Sequence, residues 1–480
     1  MKLKPHPIRS AHEAEWRYFA DQHEGGPKYC TKSNPLAISI PVIPGQSGNV
    51  GANNYLIQQG LESDRNYAIR LNETPCVPIC SQVVDFYCST IGKQGGILIE
   101  PGELAAFVDD CDLQGQSLTQ FLANARIHAS IYGHTFLVVD MLRTSAEIVT
   151  QADVQRAGLR PYLYEILPTE MLNWRFGPDG KLIEAIYQMQ PAESLGVLDE
   201  QPAGAQASTE YLYWSTSEWK RLRKTGEDVT EIEGGLNALE VVPIAVLYHK
   251  RIQAWYGESL IKDSSHMQHT AVNWLSDMLQ NLRMTMYAQP VLKTNRKLDQ
   301  VSVGSAALML LEADGQEDFQ FVSPDSGPFA AAWEAFYRFC DLARAAMGFT
   351  SASTNQPEQK SGVSKAWDFF EAEKIMARMA ENEQEAVKSV MDLAGKWTGQ
   401  PYTGNVQYAT TYDLTTPADD IENLLAMQAA QVPTEAQKEI MRRAISKLLP
   451  SMAPETRKAV ESQIDQWRAT AEPQMSGVGA

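Results

Sequence analysis

TSASTNQPEQKSGVSKAWDF, residues 350–369, sets a polar loop punctuated by glycine and proline directly before a segment of sustained helical spacing. Phe369, Ala372, Met376, Met379, Val387, Val390, Leu393 and Trp397 fall on one stripe, while Glu371, Lys374, Arg378, Glu381, Glu385 and Lys388 turn mostly elsewhere. The spacing predicts a helix over 361–397, and about 37 residues of helix measure roughly 55 Å, against 10–14 residues in an average globular helix. Such a rod spans something larger than one small core, and an exposed loop stands at its head.

Upstream of the loop, Pro328 suits a first helical turn, and Phe329, Trp333, Phe336, Cys340, Ala343 and Met347 step along one face until Gly348 stops the helix. This aromatic stripe reads as core or interface. About forty residues before it read as strands: QPVLK, AALMLLE and DFQFV, the last two joined by a hairpin turn around Asp314 and Gly315. Before those, Leu260, Met267, Ala271, Trp274, Met278, Leu282 and Met286 keep helical spacing from Tyr256 and Gly257 to Pro290. Two helices therefore flank a small β insert, and the simplest geometry is a helical hairpin that carries the insert away from the main body.

The first half is a mixed region over roughly residues 30–250. Helices are predicted near Ser10–Gln22, Asp64–Leu71, Ser81–Ile91 with a stop at Gly92, and 117–133. TFLVVD, YLYEIL, KLIEAIYQM, EYLYWS and VVPIAVLY read as strands, and 191–209 as a surface loop. After the long helix, NVQYATTYDL (405–414) reads as a strand. Three short helices follow: DDIENLLAMQAA, TEAQKEIMRRAISKLL with Thr434 and Gln437 as a capping box, and PETRKAVESQIDQWRA with Pro454 in its first turn. Residues 471–480 read as a disordered tail.

With 480 residues, 44% apolar and 21% charged, the chain can bury two or three cores. No stretch has the length of a membrane span, and the opening residues lack the apolar middle of a signal peptide, so synthesis in the cytoplasm is expected. Six cysteines without paired CxxC spacing read as reduced, buried thiols, and Cys76, Cys80 and Cys88 lack a neighbouring histidine for a metal site. The net charge of −18 disfavours static gripping of DNA, yet leaves open a surface that DNA slides past.

Catalytic motifs fail residue by residue. Gly92-Lys93 has Tyr87 where a phosphate loop needs glycine. DDCDLQG (109–115) starts like a calcium loop, but Phe121 occupies the position of the bidentate glutamate, so it reads as a polar loop capping the next helix. GQSGN (45–49) ends in Asn49 where a nucleophile elbow needs glycine. His266 and His269, with Asp263 one turn earlier, lack an HExxH frame and read as solvated. KTNRK (293–297) reads either as a solvated turn or as a partner contact.

Taken in order, WRYFADQHEGGPKY, RNYAIRLNETPCVPICSQVVDFYCSTIG, IYGHTFLVVD, YEILPTEMLNW, VVPIAVLY, YGESLIKD, FQFVSP and SGVSKAWDFFEAEKI resemble the portal proteins of tailed double-stranded DNA bacteriophages. The resemblance implies an α+β portal fold: an α/β wing (1–256), antiparallel stem helices (257–287 and 328–348), a small β-containing clip (288–327), a tunnel loop (349–360), a long wing helix and strand (361–416) and a helical C-terminal crown (417–470). It further implies a homo-oligomeric ring, typically dodecameric, at a capsid vertex of the virion, with no enzymatic activity and no cofactor. Its partners would be the major capsid protein, the large terminase subunit, a head-tail adaptor and double-stranded DNA, with no membrane. In the tunnel loop, Asn355, Gln356, Gln359 and Lys360 would touch DNA; in the clip, Lys293, Arg296, Lys297, Glu317 and Asp318 would dock partners. Two alternatives stand beside it. One is a metal-dependent hydrolase using Asp109, Asp110 and Asp112 with His128 or His134; the other is a different head-tail connector component, which would not need the hairpin.

Overall fold

The computed structural model describes residues 3–37, 53–59, 62–93, 98–141, 159–189, 208–286, 289–293, 318–322, 327–349, 362–409, 412, 421, 424–425, 427–428, 433–448 and 454–467. The chain divides into two units, one of residues 1–351 with 375–410, the other of 352–374 with 411–480. Among the described residues every strand pair is antiparallel and helices are interspersed, an α+β architecture.

In the first unit, α1 (Pro7–Glu24) begins three residues earlier than its apolar pattern suggests, at a proline that tolerates the first turn, with the His6 ring accepting from Ile8 N at 3.2 Å. α2 (Asp64–Glu73) is capped by Ser63. α3 (Ile79–Lys93) runs through Gly92 instead of stopping there, so Gly92-Lys93 is helix and not a phosphate-cradling loop. β1 (Leu98–Ile99) and α4 (Ala105–Asp109) lead to α5 (Leu118–Tyr132), which opens with a Ser117/Gln120 capping box.

Eight strands and two hairpin pieces follow: β2 (His134–Met141), β3 (Pro161–Ile166), β4 (Met171–Phe176), β5 (Leu182–Gln188), β6 (Ser208–Ser215), β7 (Glu218–Thr225), β8 (Asp228–Leu236), β9 (Ile244–Tyr248), then β10 (Arg251–Gln253) and β11 (Tyr256–Gly257). They form a three-stranded sheet, β3-β2-β9, and a five-stranded sheet, β4-β5-β6-β7-β8. β4, β7 and β8 are additions to the sequence reading. Phe136, Val138, Ile166, Trp174, Tyr187 and Trp214 fill the core that these strands share. One edge of the larger sheet is covered by the N-terminal arm: His6 N donates to Leu172 O, and Asn173 Nδ2 to Lys4 O, each at 2.8 Å. Most of the predicted loop 191–209 lies outside the described residues; Ser208 and Thr209 belong to β6.

Gly133 joins α5 to β2 in the left-handed region at φ +88°. A Cβ there would stand 2.3 Å from Gly257 O, and one on Gly257 would stand 2.2 Å from Gly133 O. The two backbones meet where only a missing side chain permits it, and the φ alone would cost another residue about 1–2 kcal/mol. This seam sets where the next helix starts. Tyr256 and Gly257 pair with β10, so α6 (Lys262–Met286) begins five residues later than the predicted start.

β12 (Gln289–Lys293) and β13 (Asp318–Val322) come next, then α7 (Gly327–Ala345), α8 (Gly362–Thr398) and β14 (Val406–Gln407). α8 has the predicted 37 residues. From Ile375 onward it belongs to the first unit, where Met376, Met379, Val387 and Val390 are buried and Trp397 Nε1 donates to Val139 O at 2.8 Å. Among the described residues of the predicted strand 405–414, the two of β14 are extended and pair with β1.

The second unit contains α9 (Thr434–Leu448) and α10 (Pro454–Gln466), with Ala444 and Ile464 buried and Arg442 paired to Asp465. Thr434 is the first helical residue, one position inside the N-cap place that the predicted Thr434/Gln437 capping box requires, and Ala436 N bonds to Pro433 O at 3.0 Å. Most of the predicted helix 419–430 and all of the tail 471–480 lie outside the described residues. Among the described residues no helix is long and apolar enough to cross a membrane.

Candidate functional site: a helical hairpin, its β insert and the loop root

α6 and α7 pack against each other in opposite directions. Ser264 Oγ, at the start of α6, donates to Ala343 O near the end of α7 at 2.8 Å, and farther along Trp274 meets Phe339 with ring centroids 4.8 Å apart. Past the far end of α6, β12 pairs with β13, Gln289 opposite Val322 and Lys293 opposite Asp318. α6 and α7 therefore pair antiparallel on either side of a β ladder, and that ladder joins QPVLK to DFQFV. AALMLLE and its turn at Asp314 and Gly315 lie outside the described residues.

The root of α6 is bolted by polar contacts that the apolar pattern alone does not reveal. Gln268 donates to Gln22 O at 2.6 Å and accepts from Cys80 N at 2.8 Å, tying three helices together. Arg70 reaches Ser276 Oγ at 3.0 Å, Glu62 at 2.7 Å and Asp277 at 3.0 Å. Buried hydrogen bonds to charged groups are among the stronger ones, about 1.5–3 kcal/mol each. The sequence signal was small and polar residues, Ser264, Ser265, Gln268 and Ser276, recurring at helical spacing on the buried face.

His269 corrects an expectation. It is buried, with Nε2 2.7 Å from Tyr55 O and its ring edge-on to Tyr55, and burial pulls its pKa down. Only His266 of that pair is exposed.

α7 delivers the chain to the loop root. Phe336, Cys340, Ala343 and Met347 are buried as their spacing predicts, Tyr87 Oη donates to Met347 O at 2.9 Å, and Gly348 turns the chain at φ +73°. A Cβ on Gly348 would stand 2.6 Å from Ile375 Cδ1. Gly348 and Ile375 of α8 therefore lie side by side within the first unit. Asn355, Gln356, Gln359 and Lys360 all lie outside the described residues, as do Arg296, Lys297 and Glu317; of the clip residues only Lys293 and Asp318 are described.

Four residues of the hydrolase alternative, Asp110, Asp112, His128 and His134, are engaged in other contacts, and Asp109 is exposed. Asp110 Oδ1 accepts from Gly115 N at 2.9 Å and its other oxygen meets Arg160; Asp112 Oδ1 accepts from Gln114 N at 2.8 Å and Gln116 N at 3.2 Å. His128 pairs with Glu165 at 2.8 Å, which raises its pKa, and Glu165 also accepts from Thr135. His134 is fully buried, accepting from Gly257 N, with its pKa pulled down to about 3 by desolvation. Among the described residues no group of three or more His, Cys, Asp or Glu side chains is arranged to hold a metal ion. All six cysteines are free thiols; five are buried, whereas Cys76 is half-buried in an open cavity of about 470 Å³ and has its pKa pushed up to about 12 by desolvation.

No protein-family model matches the chain, and no curated protein matches it. Among solved structures, it is similar to a chain in the virion of a native gene transfer agent particle, with 10% identity and a TM-score of 0.42, over 79% of this chain and 94% of that one. It is also similar to a chain from the neck of an empty particle of that kind computed with C6 symmetry, with 11% identity, a TM-score of 0.43 and the same two coverages. For a chain from the neck of a native particle computed with C12 symmetry, the values are 9%, 0.39, 80% and 89%.

Proposed function

We propose that this chain is a portal-type subunit. Many copies close into a ring, typically of twelve, at a capsid vertex, and double-stranded DNA passes through the central channel during packaging and ejection. The observation that carries this reading is the antiparallel hairpin of α6 and α7, rooted by buried polar contacts and carrying the β12-β13 ladder beyond its far end. A rod fixed at one end with a recognition element at the other suits a channel stem with a docking tip. Around an axis, copies of the 349–360 segment would bring Asn355, Gln356, Gln359 and Lys360 to the bore, where uncharged polar groups and one lysine touch phosphates without holding them. Lys293, Arg296, Lys297, Glu317 and Asp318 would meet the terminase motor and later the head-tail adaptors, and the wing would seat in the major capsid protein. Force would come from the motor; the three Gly-Lys pairs of the chain, at 92–93, 180–181 and 395–396, all lack the glycine that a phosphate loop needs five residues earlier.

Negative-stain images of the purified full chain test the ring, with closed particles of high order expected. Deleting residues 351–360 tests the channel role: rings are expected to persist while DNA packaging in a reconstituted reaction falls at least about tenfold, a rise of roughly 1.4 kcal/mol or more in the rate-limiting barrier. Loss of assembly on deletion would make the loop a folding element, and unchanged packaging would remove it from the bore.

A further inference from the structure

Arg378, on α8, makes no hydrogen bond or ion pair among the described residues, and its Nε is buried without a partner. Asn382, one turn later, donates to His249 O at 3.0 Å and so lays this face of α8 along the turn between β9 and β10. Lys250 and Lys262 already occupy both oxygens of the neighbouring Glu258, at 2.5 and 3.2 Å. Counting Lys250, Arg251, Lys262 and Arg378 against Glu258 and Asp263, the patch keeps two positive charges in excess, and the exposed Ile252 adds an apolar centre. Arginine beside an exposed aliphatic residue is the composition of a protein interface more than of a phosphate track.

The same unit carries the complementary surface. β8 closes the five-stranded sheet, and among the described residues no strand pairs with its outer edge. Asp228, Glu231 and Glu233 are exposed along it, with Ile232 and Leu236 also exposed, Leu236 at 87%. An open edge is a template for pairing, but two copies of this one would set glutamates against glutamates. The basic patch likewise repels itself. A symmetric contact through either surface is therefore disfavoured, whereas a head-to-tail contact joins unlike surfaces and closes into a ring when the rotation permits.

We infer that neighbouring copies of this chain join head to tail, the acidic β8 edge of one seated against the Arg378, Arg251 and Ile252 patch of the next. This rests on the ring reading and names the contact that builds it. The chain's net charge of −18 is consistent with a cationic patch finding its counter-charge on another copy.

The test uses the purified full chain and its variants Arg251→Glu and Glu233→Arg, both at exposed positions, with Arg378→Gln as a volume-conserving third, followed by mass photometry over a dilution series. Each charge reversal is expected to weaken assembly at least ~10-fold while far-UV circular dichroism stays unchanged, and the combined Arg251→Glu/Glu233→Arg chain is expected to recover it. Assembly of the single variants is also expected to respond less steeply to salt between about 0.1 and 0.5 M. Wild-type-like assembly in all three variants, or a double variant no better than its worse parent, overturns the contact. A wild-type chain that stays monomeric overturns the ring reading itself, which separates the two failures.

Discussion

Glu383→Ala is expected to lower the stability of the protein by about 3–5 kcal/mol, read as a fall in the denaturant midpoint. Glu383 is fully buried on α8 and grips Arg126 of α5 with both oxygens, Nε at 2.5 Å and Nη2 at 2.7 Å. Arg126 Nη1 also donates to Cys88 O at 2.8 Å, and Tyr408 Oη donates to Glu383 at 2.9 Å, so one carboxylate joins α3, α5, α8 and the segment after β14. Removing it leaves a guanidinium desolvated without a counter-charge and a phenol without its acceptor. Glu383→Gln should recover some hydrogen bonding but not the charge, and should fall between the two. The comparison is Glu334→Ala, which breaks the exposed Glu334–Arg338 pair and should cost less than about 0.5 kcal/mol. Equal effects at the two positions would show that the buried pair does not hold the long helix to the body.

Acid is expected to weaken the fold well before its carboxylates titrate. His134 and His249 are buried, and desolvation lowers both to about 3. A folded-state pKa below the unfolded value of about 6.5 means that the unfolded chain takes up protons first, so the stability contributed by neutral burial is present above pH 6.5 and is lost as pH falls toward about 3. At pH 5 the difference is about 1.5 pH units for each ring, or about 2 kcal/mol apiece. His269, lowered by burial, acts in the same direction. His128 acts oppositely: its bond to Glu165 raises its pKa, so it favours the fold at low pH and loses that contribution as pH rises through its folded value. Unfolding midpoints between pH 7 and pH 5 should fall, and His249→Gln should flatten the curve. A midpoint that holds steady over that interval would contradict the burial of both rings.

The elements that the sequence reveals are those whose burial is written locally. TFLVVD is apolar because β2 is central in its sheet and covered on both sides, and the stripe of α8 is legible because one face of a long helix is buried. β7 escaped because EWKRLRKT has Leu222 as its one fully buried residue, and β8 because all but one of its residues are exposed. The start of α6 was misread because Gly257 answers to Gly133, more than a hundred residues away. Distance in sequence also hid the site's supports. Arg126 and Glu383, or His269 and Tyr55, carry no local signal of meeting, since nothing in the sequence around either partner points to the other. The hairpin was legible because periodicity reports rods well, whereas the loop and clip residues assigned to DNA and partners came from resemblance.

The single half-buried thiol has a practical corollary. With its five companions shut away, Cys76 offers a maleimide one attachment point per chain, reacting slowly at neutral pH and faster in alkali because the thiolate is the nucleophile. A fluorophore fixed there would let the copies in one assembled particle be counted by their photobleaching steps.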